Sequence, residues 1–412
     1  MAFFSVWSMV KYGKNEEVVQ SSLRVSGPAP CLYEKVLKMK KLLIINVLWT
    51  PYIHARFTAI AKHIKDMELT VFFQNSDVKY RKWDVKIADS PYRMVFLKNI
   101  GIPVSTNTAF VCNINYTIYQ EIKWYNPDRI IVWGWDSFAT LAAIVYAKRH
   151  GKEIILWAES TIYEDSFIRK ISLLYVKFIL RFFDGFISAG IASTEYLRFL
   201  GVKRNIEHLY STVDVDHFLT QGQLSLREKR VLKEKIGIRN SSRIIVFSGR
   251  LVTIKCVDLL IEAFLHVNEK FQDIELLIVG YGPEEQRLKK MTGENSSIHF
   301  LGHRGIDEIP GLYSISDILV LPSISESWGL VVNEAMACGC AIIASDRCGC
   351  SRDLIQDNGI IVAGGKLDPL VQALERLLSS ESELEQMKTK SKDIIKHFRP
   401  QSLVKQVSFF ED

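Results

Sequence analysis

Short, uninterrupted apolar runs recur along this chain, and they limit what it can fold into more than any other feature. In the first half they fall at 42–48, 69–73, 130–133, 154–157 and 185–188. In the second they fall at 244–248, 275–279, 297–300, 318–322, 341–344 and 359–362. Runs of Ile, Val and Leu without polar alternation predict strands buried on both faces, the usual state of parallel strands. Amphipathic helical stretches lie between them at 55–65, 137–150, 257–270, 283–291, 305–314, 330–337 and 368–378, with a last one at 401–410. Strand–helix–strand alternation predicts an α/β fold with doubly wound sheets. A polar, charge-rich segment at 220–242 divides the series in two. The expected organisation is an extension at 1–38, a first domain at 39–222, a second at 223–396, and a C-terminal helix at 397–412 packing back on the first. Two such domains face across a cleft, with strand C-termini and helix N-termini pointing into it.

The length of 412 residues fits two or three domains at about 150 residues each. With 48% hydrophobic and 24% charged residues, the composition excludes a disordered chain, a collagen-like fibre and a small disulfide scaffold. No run of about 18 apolar residues predicts a spanning helix. Residues 1–220 carry 28 Lys+Arg and 20 Asp+Glu, whereas 221–412 carry 24 and 26. The first half is therefore at +8 and the second at −2. An anionic surface or substrate for the first half is one reading; chance asymmetry is the other.

Seven cysteines make an odd set for a secreted framework. The opening MAFFSVWSMVKYGK lacks a basic start, a long apolar run and a cleavage site, so it does not read as a signal peptide. A reducing, cytoplasmic compartment is expected. Cys338, Cys340, Cys348 and Cys350 form a CxC…CxC pattern, but zinc sites more often use CxxC knuckles, and small buried thiols are expected instead. Residues 1–38 are polar and Ser-rich, and Met39-Lys40-Lys41 before the first apolar run resembles a natural start. The first 38 residues are therefore expected to be a poorly ordered extension.

The chemistry concentrates in ILVLPSISESWGLVVNEAMACGCAIIAS, residues 318–345. Pro322 ends a strand, Ser323, Ser325, Glu326 and Ser327 form a polar loop, and Trp328-Gly329 turn into a helix carrying Glu334. Both glutamates can face one ligand lying across the helix start, where carboxylates accept sugar hydroxyls. Free N–H groups at Gly329, Leu330 and Val331 favour an anion such as a diphosphate. The plainer alternative is that Glu326 and Glu334 cap and solvate the helix. In SGRLVTIKCVDLLIEAF, residues 248–264, Gly249 turns the chain, Arg250 emerges at the cleft mouth and Lys255 precedes the next helix. The two cations can clamp a diphosphate, or form a solvated face.

Together these segments resemble retaining glycosyltransferases of family four, which have the two-Rossmann GT-B fold. The matching residues are Gly249, Arg250, Leu251 and Lys255, then Pro322, Ser323, Glu326, Trp328, Gly329, Leu330, Glu334, Ala335, Met336, Ala337 and Gly339. LLIVGYGPEEQRL at 276–288 and Asn358-Gly359 also match, and the resemblance covers about residues 200–400. It implies retaining hexosyl transfer from a UDP-, GDP- or dTDP-sugar to an acceptor hydroxyl, in bacterial cell-surface polysaccharide or glycolipid synthesis. Arg250 and Lys255 would hold the diphosphate, Glu326 the donor sugar and Glu334 the ribose. Trp328, Gly329, Leu330 and Val331 would line the donor site, and His303 and Arg304 would fall in the base-contacting loop. Two departures are local: Cys256 stands where Gly usually follows the Lys, and Cys340 precedes Ala341 where Pro is common.

The first half carries weaker signals. NVLWTPYIHARF at 46–57 has no Gly-rich loop and resembles a subset with Pro-Tyr followed by Arg or His and a helix, as does 71–83. Tyr52, His54 and Arg56 would then flank the reaction centre, although His54 equally suits a structural role. Glu159 ends a strand at the cleft mouth and matches a position where many relatives carry His, so it is a candidate acceptor contact or base. Trp133 and Trp135 can stack on a sugar or fill the core. The segment 167–183 is basic and amphipathic, with Arg169, Lys170, Lys177 and Arg181. It suits either a peripheral contact on an anionic membrane at the inner face or a buried helix with snorkelling lysines.

No cofactor, donor metal or nucleic-acid partner is expected. A nicotinamide oxidoreductase would need a GxGxxG turn after the first strand, which is absent. A non-catalytic protein on a decayed fold conflicts with the intact Glu and Arg/Lys sets, while an epimerase or phosphorylase chemistry remains an alternative.

Overall fold

The computed structural model describes residues 39–75, 90–103, 111–164, 167–293 and 295–411. The expected extension at 1–38 and the 76–83 portion of the 71–83 segment lie outside the described residues. From Met39 onward the chain forms one compact unit.

The strands, in chain order, are β1 (Lys40–Leu48), β2 (Met67–Asn75), β3 (Arg93–Phe96), β4 (Ile100–Pro103), β5 (Val111–Ile114), β6 (Arg129–Trp133), β7 (Glu153–Ala158), β8 (Gly185–Ser188) and β9 (Ile206–His208) in the first domain. The second contains β10 (Arg243–Ser248), β11 (Ile274–Val279), β12 (Ile298–Gly302), β13 (Ile318–Leu321), β14 (Ala341–Ser345) and β15 (Gly359–Val362). Seven strands order β3-β2-β1-β6-β7-β8-β9 and six order β12-β11-β10-β13-β14-β15. Every neighbour in both sheets is parallel, and β4 and β5 form a separate antiparallel ribbon. These are the two doubly wound sheets that the apolar runs predict.

Burial follows the period of two. Along β1, Leu42 and Ile44 join one core while Leu43 and Ile45 join another, and all four are fully buried. Along β7, Ile155 and Trp157 take the first side and Ile154 and Leu156 the second. A strand with apolar residues on both faces needs helices above and below it, which is why the runs carry no polar alternation.

The sequence expectations miss three kinds of element. β3 and β9 are sheet edges; β3 exposes Arg93 and Phe96 and β9 has three residues, so neither carries a long apolar run. The helix Glu381–Ile395 is mostly polar and buries only the stripe of Leu384, Met387, Ser391 and Ile395. The first helix runs Pro51–His63, so it starts four residues before the predicted 55. Thr50 is its N-cap, accepting from the Ile53 N–H at 3.2 Å, and Pro51 occupies the first turn, where its missing N–H costs nothing. Thr-Pro there is a helix start rather than a loop.

The chain crosses between sheets along 209–214, and the helix Val215–Gln221 already packs on the helix Leu330–Cys338 of the second domain. It returns near 396–400, where the Thr212 hydroxyl donates to the Phe398 carbonyl at 2.6 Å. The helix Pro400–Val404 then lies against Pro51–His63. Arg129 donates to the carbonyls of Phe409 and Glu411, tying the chain end to β6. Substituting Ile44→Ala, at the centre of β1, is expected to cost about 2–5 kcal/mol, read as a fall in the urea midpoint at unchanged slope.

Candidate functional site

Each sheet reverses its strand order once, between β1 and β6 and between β10 and β13. The crevice at the C-terminal ends of such a strand pair is where doubly wound folds bind ligands. In the second domain those ends are Gly249-Arg250 and the loop 322–329. In the first they are Trp49-Thr50 and Gly134–Asp136, with Glu159 at the end of β7 alongside.

Close backbone packing fixes the second-domain loops. Gly280 has φ +136°, and a Cβ there would lie 1.8 Å from the Gly249 carbonyl oxygen; one on Gly282 would lie 2.2 Å from that of Leu251. The Gly-Tyr-Gly loop thus presses on the backbone that carries Arg250. The 326–329 loop rests on 347–350, with Gly349 N–H donating to Glu326 O at 3.0 Å and Cys350 N–H to Trp328 O at 3.1 Å. Gly329 turns into the helix at φ +103°, a conformation that suits glycine. Cys256 takes φ +50° without being glycine, so the departure from the family's Gly keeps the backbone path that Gly would take.

Arg250 is exposed and pairs with no carboxylate among the described residues. Lys255 closes a short 3₁₀ turn, and its ammonium donates to the Glu326 carboxylate, both side chains being about five-sixths buried. Ile324 N–H donates to Ile254 O at 3.0 Å, bringing the two loops edge to edge. The residues expected to hold a diphosphate and a sugar are therefore neighbours, and they neutralise each other here. The N–H groups of Leu330 and Val331 open the helix above them without an intrahelical acceptor.

Glu334 departs from expectation. It is not solvated at the helix surface; it is 3% exposed, and Tyr313 donates to it at 2.9 Å. Burial pushes its carboxyl up to about 7, against hydrogen bonds from Tyr52 and Tyr313 that favour the charged form. Trp328 is also buried rather than open, with its indole N–H donating to Asn333 at 2.9 Å and its ring beside Tyr210 and Gly190 of the first domain. His303 is exposed beside the Tyr281 ring, and Arg304 is engaged by Glu308 at 3.1 Å.

In the first domain, helical spacing separates the three candidates of the 52–56 segment. Tyr52 and Arg56, four residues apart, share a face, and Tyr52 reaches Glu334 of the second domain. His54 turns away, its Nδ1 2.9 Å from the Tyr92 hydroxyl, with burial lowering its pKa. Arg56 is 4% exposed, lies over the Trp133 ring at 4.7 Å and donates to Glu159 at 3.1 Å and to Ser211 at 3.2 Å. Ser211 in turn donates to Glu159. Trp133 stacks on the buried Trp157 at 4.5 Å. A cavity of about 200 Å³ opens here, lined by Val47, Trp133, Trp135, Asp136, Glu159 and, from the second domain, Ser327. A larger hollow of about 520 Å³, with Met39, Lys65, Glu68 and Arg93, sits at the other end of the first sheet, away from the cleft.

Several contacts carry no sequence signal. Ser211 lies 52 residues from Glu159 and 155 from Arg56. Asp353 accepts from Ile191 N–H at 3.2 Å, at the start of a first-domain helix, and Arg352 pairs with Glu195 at 2.7 Å. One Asp-x-Asp triplet, Asp214-Val215-Asp216, escaped the sequence reading. Asp214 caps its own helix through His217 N–H at 3.1 Å and Asp216 pairs with Arg399 at 2.7 Å, so both carboxylates are used structurally. No group of three or more metal-ligating side chains occurs among the described residues. Cys338, Cys340, Cys348 and Cys350 are buried free thiols, and Cys338 and Cys340 approach backbone carbonyls.

Burial pushes the Asp353 carboxyl, like that of Glu334, up to about 7. A carboxyl that binds its proton more tightly in the fold contributes stability that is complete below its unfolded pKa and is lost as pH rises through the folded one. For Glu334 the window runs from 4.5 to about 7. Glu334→Gln is therefore expected to flatten the fall in melting temperature between pH 5 and 8, and to raise stability at pH 8 by up to on the order of 3 kcal/mol. Thermal unfolding across that range measures it.

Residues 228–394 match the model of the family described as glycosyl transferases group 1. The GDP-mannose-dependent monoacylated alpha-(1-6)-phosphatidylinositol monomannoside mannosyltransferase of Corynebacterium glutamicum is 31% identical over 186 residues, 43% of this chain and 48% of that protein. The D-inositol 3-phosphate glycosyltransferase of Salinispora arenicola is 29% identical, over 42% of each chain. The chain thus spans about half the length of the curated relatives it matches. The fold matches the Anabaena protein HepE, solved in complex with UDP, with a TM-score of 0.69 at 15% identity, covering 90% of this chain and 98% of that one. The pair of sheets is the GT-B fold, and within its second domain residues 228–394 match the glycosyl transferases group 1 model.

Proposed function

We propose that the chain moves a sugar from a nucleotide-sugar donor to an acceptor hydroxyl, with retention at the anomeric carbon. The observation that carries this reading is the convergence of Arg250, Lys255, Glu326 and a helix N-terminus at the strand-order switch of the second sheet, facing the cavity of the first. The names of the two relatives, a mannosyltransferase and an inositol-phosphate glycosyltransferase, and the UDP bound to HepE support it.

Lys255 would exchange Glu326 for the entering diphosphate. That exchange releases the Glu326 carboxylate to accept the donor sugar's hydroxyls. Arg250 and the N–H groups of Leu330 and Val331 would stabilise charge building on the departing diphosphate. The diphosphate itself would take the acceptor's proton, with Glu159 orienting that hydroxyl. Holding the two substrates together supplies much of the rate, and this reading needs no metal. In a screen of UDP-, GDP- and dTDP-sugars, Lys255→Ala is expected to lower turnover about 10²–10³-fold. Near-normal transfer by that variant would sink the assignment.

We propose also that the helix Phe167–Ile179 rests on an anionic membrane at the inner face of the cell. No helix among the described residues is long and apolar enough to cross a membrane. Leu174 is 80% exposed, and Tyr175 and Phe178 are exposed beside it, with Lys177 among them. Apolar side chains and a cation on one outward face suit an anionic interface. Leu174→Glu with Phe178→Glu is expected to cut co-sedimentation with phosphatidylglycerol vesicles by roughly tenfold or more; unchanged sedimentation counts against the contact.

A further inference from the structure

Resting on the glycosyl-transfer reading, we infer that the 200 Å³ cavity is an acceptor subsite for an uncharged or amine-bearing sugar ring, one that turns away phosphorylated and carboxylated sugars. Drug-sized ligands fill about 300–1,000 Å³, so this space suits a single ring. Trp133 and Trp135 line the cavity and contribute apolar surface beside a sugar's C–H groups. Ser160 and Ser327 place hydroxyls on the rim.

The charge of the lining decides the class of ring. The described lining residues include three acids, Asp136, Glu159 and Glu164, and no Lys, Arg or His. Asp136 is exposed and makes no ion pair with any described residue. Glu159 keeps a quarter of its side chain open, so it can still accept from a ligand. Arg56, the cation that Glu159 pairs with, is 4% exposed and also donates to Ser211 beside the Trp133 ring, so it is not part of the lining. A carboxylate accepts from sugar hydroxyls and attracts an ammonium. A phosphate or carboxylate in the same space would meet like charges from this acidic lining, which disfavours it.

This local charge runs against the +8 of the first half. Net charge describes the outer surface, whereas a substrate meets only the lining. The excess cations of this half are thus left for a surface such as the Phe167–Ile179 helix.

Titrating the whole chain by tryptophan fluorescence with methyl glucoside, glucosamine, glucose 6-phosphate and glucuronate tests the inference. The first two are expected to bind at least about tenfold more tightly than the last two, and Asp136→Lys is expected to narrow or reverse the gap. Equal or tighter binding of the phosphorylated or carboxylated sugar, a gap that ignores Asp136→Lys, or no binding by any of the four overturns it. Donor binding is measured apart from this, by calorimetry with nucleotide sugars. Failure there removes the transfer reading while the sugar selectivity stands or falls by its own titration.

Discussion

A parallel strand buried on both faces takes few polar side chains along its length, and those it takes, such as Glu275 held by Arg239 and His299, need partners. In this chain that constraint governs everything else. Leu42 to Ile45 alternate between two cores, and the same holds in β7, so each connection must cross over a face as a helix. Polar chemistry is displaced to the strand ends. At the C-terminal edge the helices present their N-termini and the strand order reverses, so a crevice opens there. Arg250, Lys255 and Glu326 on one side, and Asp136 and Glu159 on the other, all lie at that edge.

The cleft is held by contacts in which charge is balanced locally. Lys255 and Glu326 neutralise each other, as do Arg56 and Glu159, and Arg352 and Glu195 across the domains. Glu334 and Asp353 lack a cation at that range and are buried at the domain junction, where burial favours their protonated forms. Among the described residues Arg250 pairs with no carboxylate at the mouth. Such a pattern suits the proposed site for an anionic diphosphate beside a polyhydroxylated ring, where the anion would take Lys255 and the ring's hydroxyls would donate to the released Glu326 carboxylate.

Much of the fold was legible because burial writes itself into composition: the centres of β1, β7, β10 and β14 are dominated by Ile, Leu, Val and Ala. The edges β3 and β9 were not legible, since solvent on one side relaxes that demand. The helix start at Pro51 was hidden because Thr-Pro serves loops and helix N-termini alike. Within the site, the Gly-Arg and Glu-Ser-Trp-Gly motifs could be placed on their loops from sequence. The partnership of Lys255 with Glu326, 71 residues apart, could not, and neither could that of Ser211 with Glu159.

The sequence by itself determined the two doubly wound sheets, the loops that bear the charged residues, and the resemblance of its second half to glycosyltransferases. Those properties depend on local periodicity and on residues close together in the chain. Only the tertiary structure decided that Glu334 and Trp328 are buried at the domain junction, that His54 turns to Tyr92 while Arg56 turns to Glu159, and that the cavity lining is acidic within a basic half. Each of those outcomes depends on which surfaces meet when two separately built sheets pack against each other, and spacing along the chain carries no record of that.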